Sequence, residues 1–479
     1  MANRKDLRGW MEDVDKMGEL LRIENADWDL EIGCITELNR RKESPALLFD
    51  NIKDYPAGYR LLCSFVNAPS RVALTLGLPI THSEWELSQV VRQHIGEWEN
   101  KAKDYNPKIV KSGPILENVL SGEDVNLLKF PVPRWHELDG GRYIGTGDAV
   151  ITRDPDTGDT NLGTYRVMVH DEKTSGWYMS PGRHGKIHRE KFHAQGKPCP
   201  VAVSVGQHPV IFGASSTGLS AVSEYNFAGA IRGEPIEVIR DESTGLLIPA
   251  DAEIVFVGWS PVGKERQEGP FGEWTGYYGS KERAAPIIEV ERIYHRNNPI
   301  LCGAPPFRPP SDNHCFQGIV RSALIHNAVV NAGVPDVRGV WQHEFGVHTF
   351  TAIAIKQRYA GHAKQAALIA DQNRQGAYMG RFVVVVDEDI DPTDITDVLW
   401  AMCFRCDPEK DIDIIRQAWA SPLDPLIRKP TKAFYNSRAI INACKPFDWM
   451  SEFPIAVKSS PELVAKTKAK WAKKMGLQT

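Results

Sequence analysis

The hydrophobic period of the chain changes twice, and that change constrains the fold more than any single motif. From about residue 145 to 300 the apolar residues come in short runs between Gly and Pro. Strands are predicted at 149–153, 164–169, 176–180, 201–205, 209–212, 236–239, 254–258 and 287–294, with one helix at about 221–231. Many short strands between turn residues favour a barrel or a sandwich. Upstream the pattern is mixed. Leu7, Trp10, Met11, Val14, Met17, Leu20 and Leu21 recur at helical spacing, and a second helical stretch covers 30–41. Strands are predicted at 46–49 and 59–63, Ser70 as the cap of a helix through 76, and 84–103 as a long amphipathic helix. Downstream, helices at 316–331, 360–369 and 395–404 alternate with strands at 337–341, 349–355 and 382–386. The reading is an α+β multidomain chain. An N-terminal α/β domain covers 1–110, a central β domain with its Pro-punctuated connector covers 111–310, a C-terminal α/β domain covers 311–455, and a terminal amphipathic helix covers 456–479.

Composition narrows the class. The chain has 479 residues, 42% apolar and 25% charged, with a formal charge of −4. That is ordinary globular usage, long enough for two to four cores. The near-neutral balance gives no reason to expect nucleic acid or an anionic membrane as partner. The first residues carry no apolar core of a secretory signal, and no stretch approaches the roughly 18 apolar residues of a membrane span. Eight scattered cysteines suit a reducing cytoplasm. Cys403 and Cys406 form a lone CxxC, read as structural. The tail places Leu463, Val464, Thr467, Trp471 and Met475 on one face among five lysines, which reads as a helix packed on another domain or subunit rather than on a membrane. Glycine-rich dinucleotide and Walker-type phosphate loops are absent.

Four stretches can carry chemistry. Glu268 and Glu273 bracket Gly269, Pro270, Phe271 and Gly272, a composition that excludes a regular helix and holds two acids in one tight loop. Neighbouring carboxylates repel, which raises one pKa and suits that group to donate a proton. Phe271, Trp274, Tyr277 and Tyr278 argue for partial burial; a solvated surface turn is the plainer alternative. Arg166 precedes apolar Val167, Met168 and Val169, so an inward guanidinium needs an anion, either a substrate carboxylate or a structural partner. Ser180, Pro181, Gly182, Arg183 and His184 form a basic turn. His184, Asn161 and a carboxylate can together hold a divalent ion of the Mg²⁺ or Mn²⁺ type. His188 and His193 read as surface residues. Glu224 stands in the first turn of its helix behind Ser223 or an earlier serine, where an acid is favoured without any catalytic role.

In order and spacing these stretches resemble the UbiD family of prenylated-flavin-dependent decarboxylases. The resemblance runs from the N-terminal segment to the acidic run 386–391 and rests on Asn161, Arg166, His184, Glu224, Glu268 and Glu273. It implies a central split β-barrel that binds prenylated FMN. Asn161, His184 and Glu224 match the ligands of a divalent ion, usually Mn²⁺, with K⁺ often beside it. Thr164, Tyr165 and Arg166 match one cofactor-contacting segment, and Tyr178, Met179, Ser180 and Arg183 a second. Arg374 or Arg381 matches a basic residue that reaches the cofactor phosphate. Arg166 would orient the substrate carboxylate, Glu268 would hold Arg166, and Glu273 would donate the proton that replaces CO₂. The second acid departs from the Asp that many relatives carry. Asp312, His314 and Phe316 fall near the substrate pocket. The implied activity is reversible non-oxidative decarboxylation of an aromatic, heteroaromatic or α,β-unsaturated acid. A flavin prenyltransferase would supply the cofactor, and the chain would assemble as a homo-oligomer, a dimer or hexamer. An FMN-dependent oxidoreductase on the same barrel, or a scaffold subunit of a multi-component carboxylase, are the alternatives.

Overall fold

A computed structural model describes residues 6–40, 44–217, 223–279, 282–346, 348–428 and 434–475. Its centre is a ten-stranded sheet. Eight strands follow one another in space as Arg142–Gly145, Val167–Asp171, Thr174–Trp177, Arg283–His295, Ile254–Ser260, Cys199–Ser204, Ala149–Arg153 and Thr160–Gly163. Asn118–Ser121 and Glu265–Glu268 pair with the long strand Arg283–His295. The sheet curls into a half-barrel. Fully buried Val203, Phe256, Ile288 and Ile293 fill the side that meets Trp135, Tyr143 and Trp177.

The N-terminal sheet is completed from far along the chain. Leu20–Glu24, Ala46–Asp50 and Arg60–Cys63 are joined by Ile300–Gly303, which runs parallel to Arg60–Cys63. The strand that leaves the central segment therefore belongs structurally to the first sheet. The helix Asp312–Asn331 then packs on the long N-terminal helix Glu84–Lys101 and on the strand Val337–Gln342. Asp312 fastens this junction, because its Oδ1 accepts the Val66 N–H at 3.0 Å. The C-terminal sheet orders Val337–Gln342, Phe350–Ile355, Phe382–Asp387, Tyr435–Ala443 and Ile412–Trp419, with apolar cores on both faces.

Several local expectations are corrected. Leu20 and Leu21 are in a strand, because the first helix ends at Lys16 and Gly18 turns the chain at φ 73°. The predicted strand at 209–212 is the helix Pro209–Thr217; a short run that is apolar on all sides carries no period to separate strand from helix. Ser70 is not a cap: Ala68 holds that place, and the Ser70 hydroxyl donates to Glu19 at 2.8 Å. The helix His184–Ala194 and the strands Ile412–Trp419 and Tyr435–Ala443 were not anticipated. The end of the predicted helix 30–41 and residues 218–222, which hold the serine before Ser223, lie outside the described residues.

All eight cysteines are free. Among the described residues no helix is long and apolar enough to cross a membrane. The terminal helix Pro461–Met475 forms, with Leu463, Val464 and Trp471 exposed and only Ala472 buried.

One ion cluster ties the first helix to the central domain. Fully buried Glu253 accepts Arg8 Nε and Nη2, each at 2.8 Å, and Arg296 Nη1 at 3.2 Å; Arg296 also reaches Asp6 at 2.8 Å. Glu253→Ala removes the fully buried acid that Arg8 and Arg296 share, leaving Arg296 to Asp6 and Arg8 to the Asn297 and Asn298 carbonyls. The expected loss is about 3 kcal/mol in urea unfolding. Burial pushes the Asp6 carboxyl up, but the Arg296 bond and the Gly9 N–H outweigh it and leave it below its ordinary value. A depressed carboxylate stabilises the fold above its unfolded pKa of about 3.9. That contribution is expected to be lost as pH falls through the lower folded value, and Asp6→Asn should flatten the acid limb of the unfolding profile.

Candidate active site

The loop between Thr160–Gly163 and Val167–Asp171 carries Thr164, Tyr165 and Arg166 onto one face of the half-barrel. The residues after Thr174–Trp177 run beside it, and the Tyr178 N–H donates to the Arg166 carbonyl at 3.2 Å. Arg166 is the hub. Its Nη2 donates to Glu268 Oε2 and its Nη1 to Glu273 Oε1, both at 2.8 Å. Glu268 is fully buried and Glu273 is 8% exposed. Burial works against the Arg166 charge, yet Glu273 and Glu268 outweigh it and raise its pKa. The two acids do not face one another unscreened, as the sequence suggested, because the guanidinium stands between them.

The loop is shaped from outside. The Gly140 N–H donates to the Pro270 carbonyl at 2.9 Å. A Cβ at position 140 would lie 2.0 Å from the Gly269 oxygen, so only glycine admits this approach. The Glu273 N–H donates to the Tyr277 carbonyl at 2.9 Å, closing a turn that fixes the second acid. Phe271 supplies the expected burial, at 2% exposure, whereas Tyr277 at 63% and Tyr278 at 39% do not.

The second group lies at the neighbouring strand. Asn161 Oδ1 is 3.2 Å from His184 Nδ1, and Glu224 Oε2 accepts the Leu162 N–H at 2.9 Å. Glu224 is thus committed to a strand rather than to capping its own helix Glu224–Arg232. Its neighbour Ser223 makes no side-chain cap either. Glu224 is 6% exposed, and burial pushes its carboxyl up to about 7. Asn161 Nδ2 is buried without a hydrogen-bond partner. A covered carboxylate, an amide and an imidazole are the donor types that a hard divalent ion takes. Among the described residues no group of three or more His, Cys, Asp or Glu is placed to hold a metal ion.

Tyr165 and Met179 pack against the start of the helix His184–Ala194, and the Tyr165 hydroxyl accepts the Gly185 N–H at 3.2 Å. Arg183 is its N-cap residue and is exposed, as is His184; the Ser180 carbonyl accepts the Arg183 N–H at 3.3 Å. His188 is not on the surface: it is 6% exposed, and its Nδ1 is 3.0 Å from the Thr152 hydroxyl. Of the two phosphate candidates, Arg381 is committed to buried Asp424 at 2.6 Å. Arg374 is exposed and opens the short helix Arg374–Ala377. Its charge is felt by Glu99. His314 uses Nδ1 to accept the Ser311 N–H at 3.0 Å, completing a capping box, and burial pushes its pKa down to about 3.

Three side chains of the site escaped sequence reasoning. The Tyr143 hydroxyl donates to Glu268 Oε1 at 3.0 Å, and its ring stacks on Phe271 at 3.7 Å. Arg283 lies 3.4 Å over the Tyr178 ring and 3.9 Å from Glu268. Arg321 is buried in the helix Asp312–Asn331. Tyr143 alternates correctly for an inward strand residue, and that was the available signal. Nothing local marks Arg283 or Arg321.

A guanidinium held between two acids on a half-barrel marks a candidate site for an anionic ligand. Comparison with known proteins makes the class definite. Residues 11–89, 108–309 and 314–443 match the N-terminal, Rift-related and C-terminal domains of 3-octaprenyl-4-hydroxybenzoate carboxy-lyase. Pyrrole-2-carboxylic acid decarboxylase of Pseudomonas aeruginosa is 32% identical over 471 residues, covering 95% of this chain and 94% of that protein. The vanillic acid decarboxylase of Sedimentibacter hydroxybenzoicus, in its open form, matches with a TM-score of 0.85 at 28% identity over 99% of both chains. An evolved dimeric form of HmfF from Pelotomaculum thermopropionicum, in complex with prFMN, matches with a TM-score of 0.82 at 26% identity, covering 98% of this chain and 100% of that one. The chain belongs to the UbiD family and is a carboxy-lyase.

The packing of Gly185 yields a direct test. A Cβ there would lie 2.8 Å from the Tyr165 ring and 3.1 Å from Met179 Sδ. Gly185→Ala is expected to cost about 1–3 kcal/mol in chemical unfolding. It should also loosen the helix start that carries His184, read as faster amide exchange at 184–188.

Proposed function

We propose that the chain is a prenylated-FMN-dependent decarboxylase of an aromatic, heteroaromatic or α,β-unsaturated acid, reversible under high CO₂. The observation that carries this reading is the buried Arg166 fork with Glu268 and Glu273 on its two nitrogens. The prFMN-bound relative supports the cofactor. Prenylated FMN, when bound, supplies the electron sink that loss of CO₂ from an sp² carbon requires. Asn161, His184 and Glu224 would hold Mn²⁺, with K⁺ nearby. Thr164, Tyr165, Tyr178, Met179, Ser180 and Arg183 would line the cofactor, and Arg374 would reach its phosphate.

The chain's own residues then divide the work. Arg166 is a bidentate donor suited to the substrate carboxylate. To take it, the guanidinium gives up one of its present partners. Glu268 stays, held by Tyr143 and sealed under Phe271. Glu273, at the end of the loop, is released. A carboxylate that loses its cation in a dry site takes up a proton more readily. The protonated Glu273 then delivers that proton to the carbon that has lost CO₂. Phe271 and Trp274 keep water from competing. Supply of the cofactor by a flavin prenyltransferase, and a cytoplasmic setting that keeps the eight thiols reduced, complete the proposal. The unpartnered apolar face of the terminal helix supports a homo-oligomer.

The test uses chain co-expressed with a flavin prenyltransferase. Glu273→Gln is expected to lower decarboxylation by about 10³-fold with flavin content unchanged. Normal turnover in that variant would remove Glu273 as donor. Arg166→Ala that retains an NAD(P)H-dependent reaction would favour the oxidoreductase alternative instead. Glu224→Gln is expected to lower the manganese-to-flavin ratio by elemental analysis. An unchanged ratio would remove Glu224 from the metal site.

A further inference from the structure

Arg283 reaches the Arg166 fork from the neighbouring strand. It stands directly across the antiparallel ladder from Glu268, where Glu265–Glu268 pairs with Arg283–His295. Opposite charges in that register attract, and the sheet rather than a loop fixes the pair. Arg283 Nε lies 3.9 Å from Glu268 Oε2, the same oxygen that accepts Arg166 Nη2 at 2.8 Å. Both guanidiniums also meet one aromatic ring. The centre of the Tyr178 ring is 3.4 Å from the Arg283 guanidinium carbon and 4.7 Å from that of Arg166. The ring face favours each cation and offsets part of their mutual repulsion. The Arg283 side chain is 29% exposed against 8% for Arg166, so its charge is held at the wetter end of the cluster with less loss of hydration.

Glu268 does not need this second cation for its own burial. Arg166 and the Tyr143 hydroxyl already occupy its two oxygens. His170 also feels the Glu268 charge, but burial and then Arg266 push its pKa down and leave it neutral at pH 7. The charge of Arg283 matters when a carboxylate ligand takes the place of Glu273 on Arg166. Arg166 then stands between two anions, the ligand and Glu268, and Glu268 draws on the same guanidinium that must hold the ligand. A second cation beside Glu268 Oε2 answers part of that negative charge, and Arg166 keeps more of its attraction for the ligand. We propose that Arg283 is a positioning residue that acts through Glu268, setting the affinity of Arg166 for the carboxylate of the acid substrate. The inference rests on the decarboxylase reading and adds to its site a residue whose role is electrostatic.

The test is calorimetric binding to the flavin-loaded enzyme. Its probes are benzoate, cinnamate and pyrrole-2-carboxylate, each against its own carboxamide, which has nearly the same shape and no charge. Arg283→Gln and Arg283→Met remove the cation, the second keeping an apolar stem against Tyr178. Both are expected to weaken binding of the acids by about tenfold and to leave the amides within about twofold of the parent. Arg283→Lys keeps the charge and should recover most of the lost affinity. Circular dichroism and flavin absorbance report whether each variant is folded and loaded. Acid affinity unchanged in a folded, loaded Arg283→Gln would overturn the inference. So would an equal loss for acids and amides, or an Arg283→Lys no better than Arg283→Gln, because either outcome makes the role one of shape. Loss of fold or flavin in both uncharged variants would assign Arg283 to structure and also overturn it, as would a parent enzyme that binds none of the acids. Failure of the decarboxylase reading shows separately, as absence of CO₂ release from acids that the parent enzyme binds.

Discussion

The ion triplet of Arg166, Glu268 and Glu273 is the interaction around which the centre of the molecule is arranged. A buried guanidinium is costly unless charge and hydrogen bonds answer it. Here each terminal nitrogen meets a different carboxylate at 2.8 Å. Tyr143 takes the remaining capacity of Glu268, and Phe271 covers both by stacking on the Tyr143 ring. Arg283, 3.9 Å from Glu268 Oε2, sets a second cation beside the triplet.

The fold supplies the stiffness that holds this triplet. The acids hang from a loop pinned at one end by the strand Glu265–Glu268 and in the middle by Gly140 against Gly269. The opposing wall belongs to the C-terminal segment. It is fastened to the N-terminal sheet by Asp312 and to the long helix Glu84–Lys101 by packing. The first sheet itself is finished by a strand from the end of the central segment. All three regions therefore contribute to holding one site, although each has its own apolar core.

Much of this was legible residue by residue. The change of period at the central segment marked a mostly β region, and the half-barrel is there, with the helices His184–Ala194, Pro209–Thr217 and Glu224–Arg232 set between its strands. The Gly-Pro composition between Glu268 and Glu273 marked a shaped loop, and the order and spacing of Asn161, Arg166, His184 and Glu224 carried the family resemblance. Failures occurred where local pattern carries no information. Pro209–Thr217 opens on four apolar residues in a row and is buried on nearly every side, so its period could not be read. Ile412–Trp419 is a half-exposed strand of mixed residues whose only reason to be extended is its neighbour Tyr435–Ala443. Arg374 and Arg381 were equivalent in sequence. They separate only because Asp424 is folded against one of them.

The sequence by itself determined the chemical inventory: which side chains can bind an anion, hold a metal or move a proton, and which short loops must be tight. Those properties follow from residue type and nearest neighbours. Only the tertiary structure decided which charges are answered. Arg166 finds two acids about a hundred residues away, Glu224 turns from its own helix to a distant strand, and Arg321 is enclosed among neutral groups. Burial and counter-charge are set by what packs across the chain. An arginine in one helix looks the same in sequence whether a carboxylate waits for it or not.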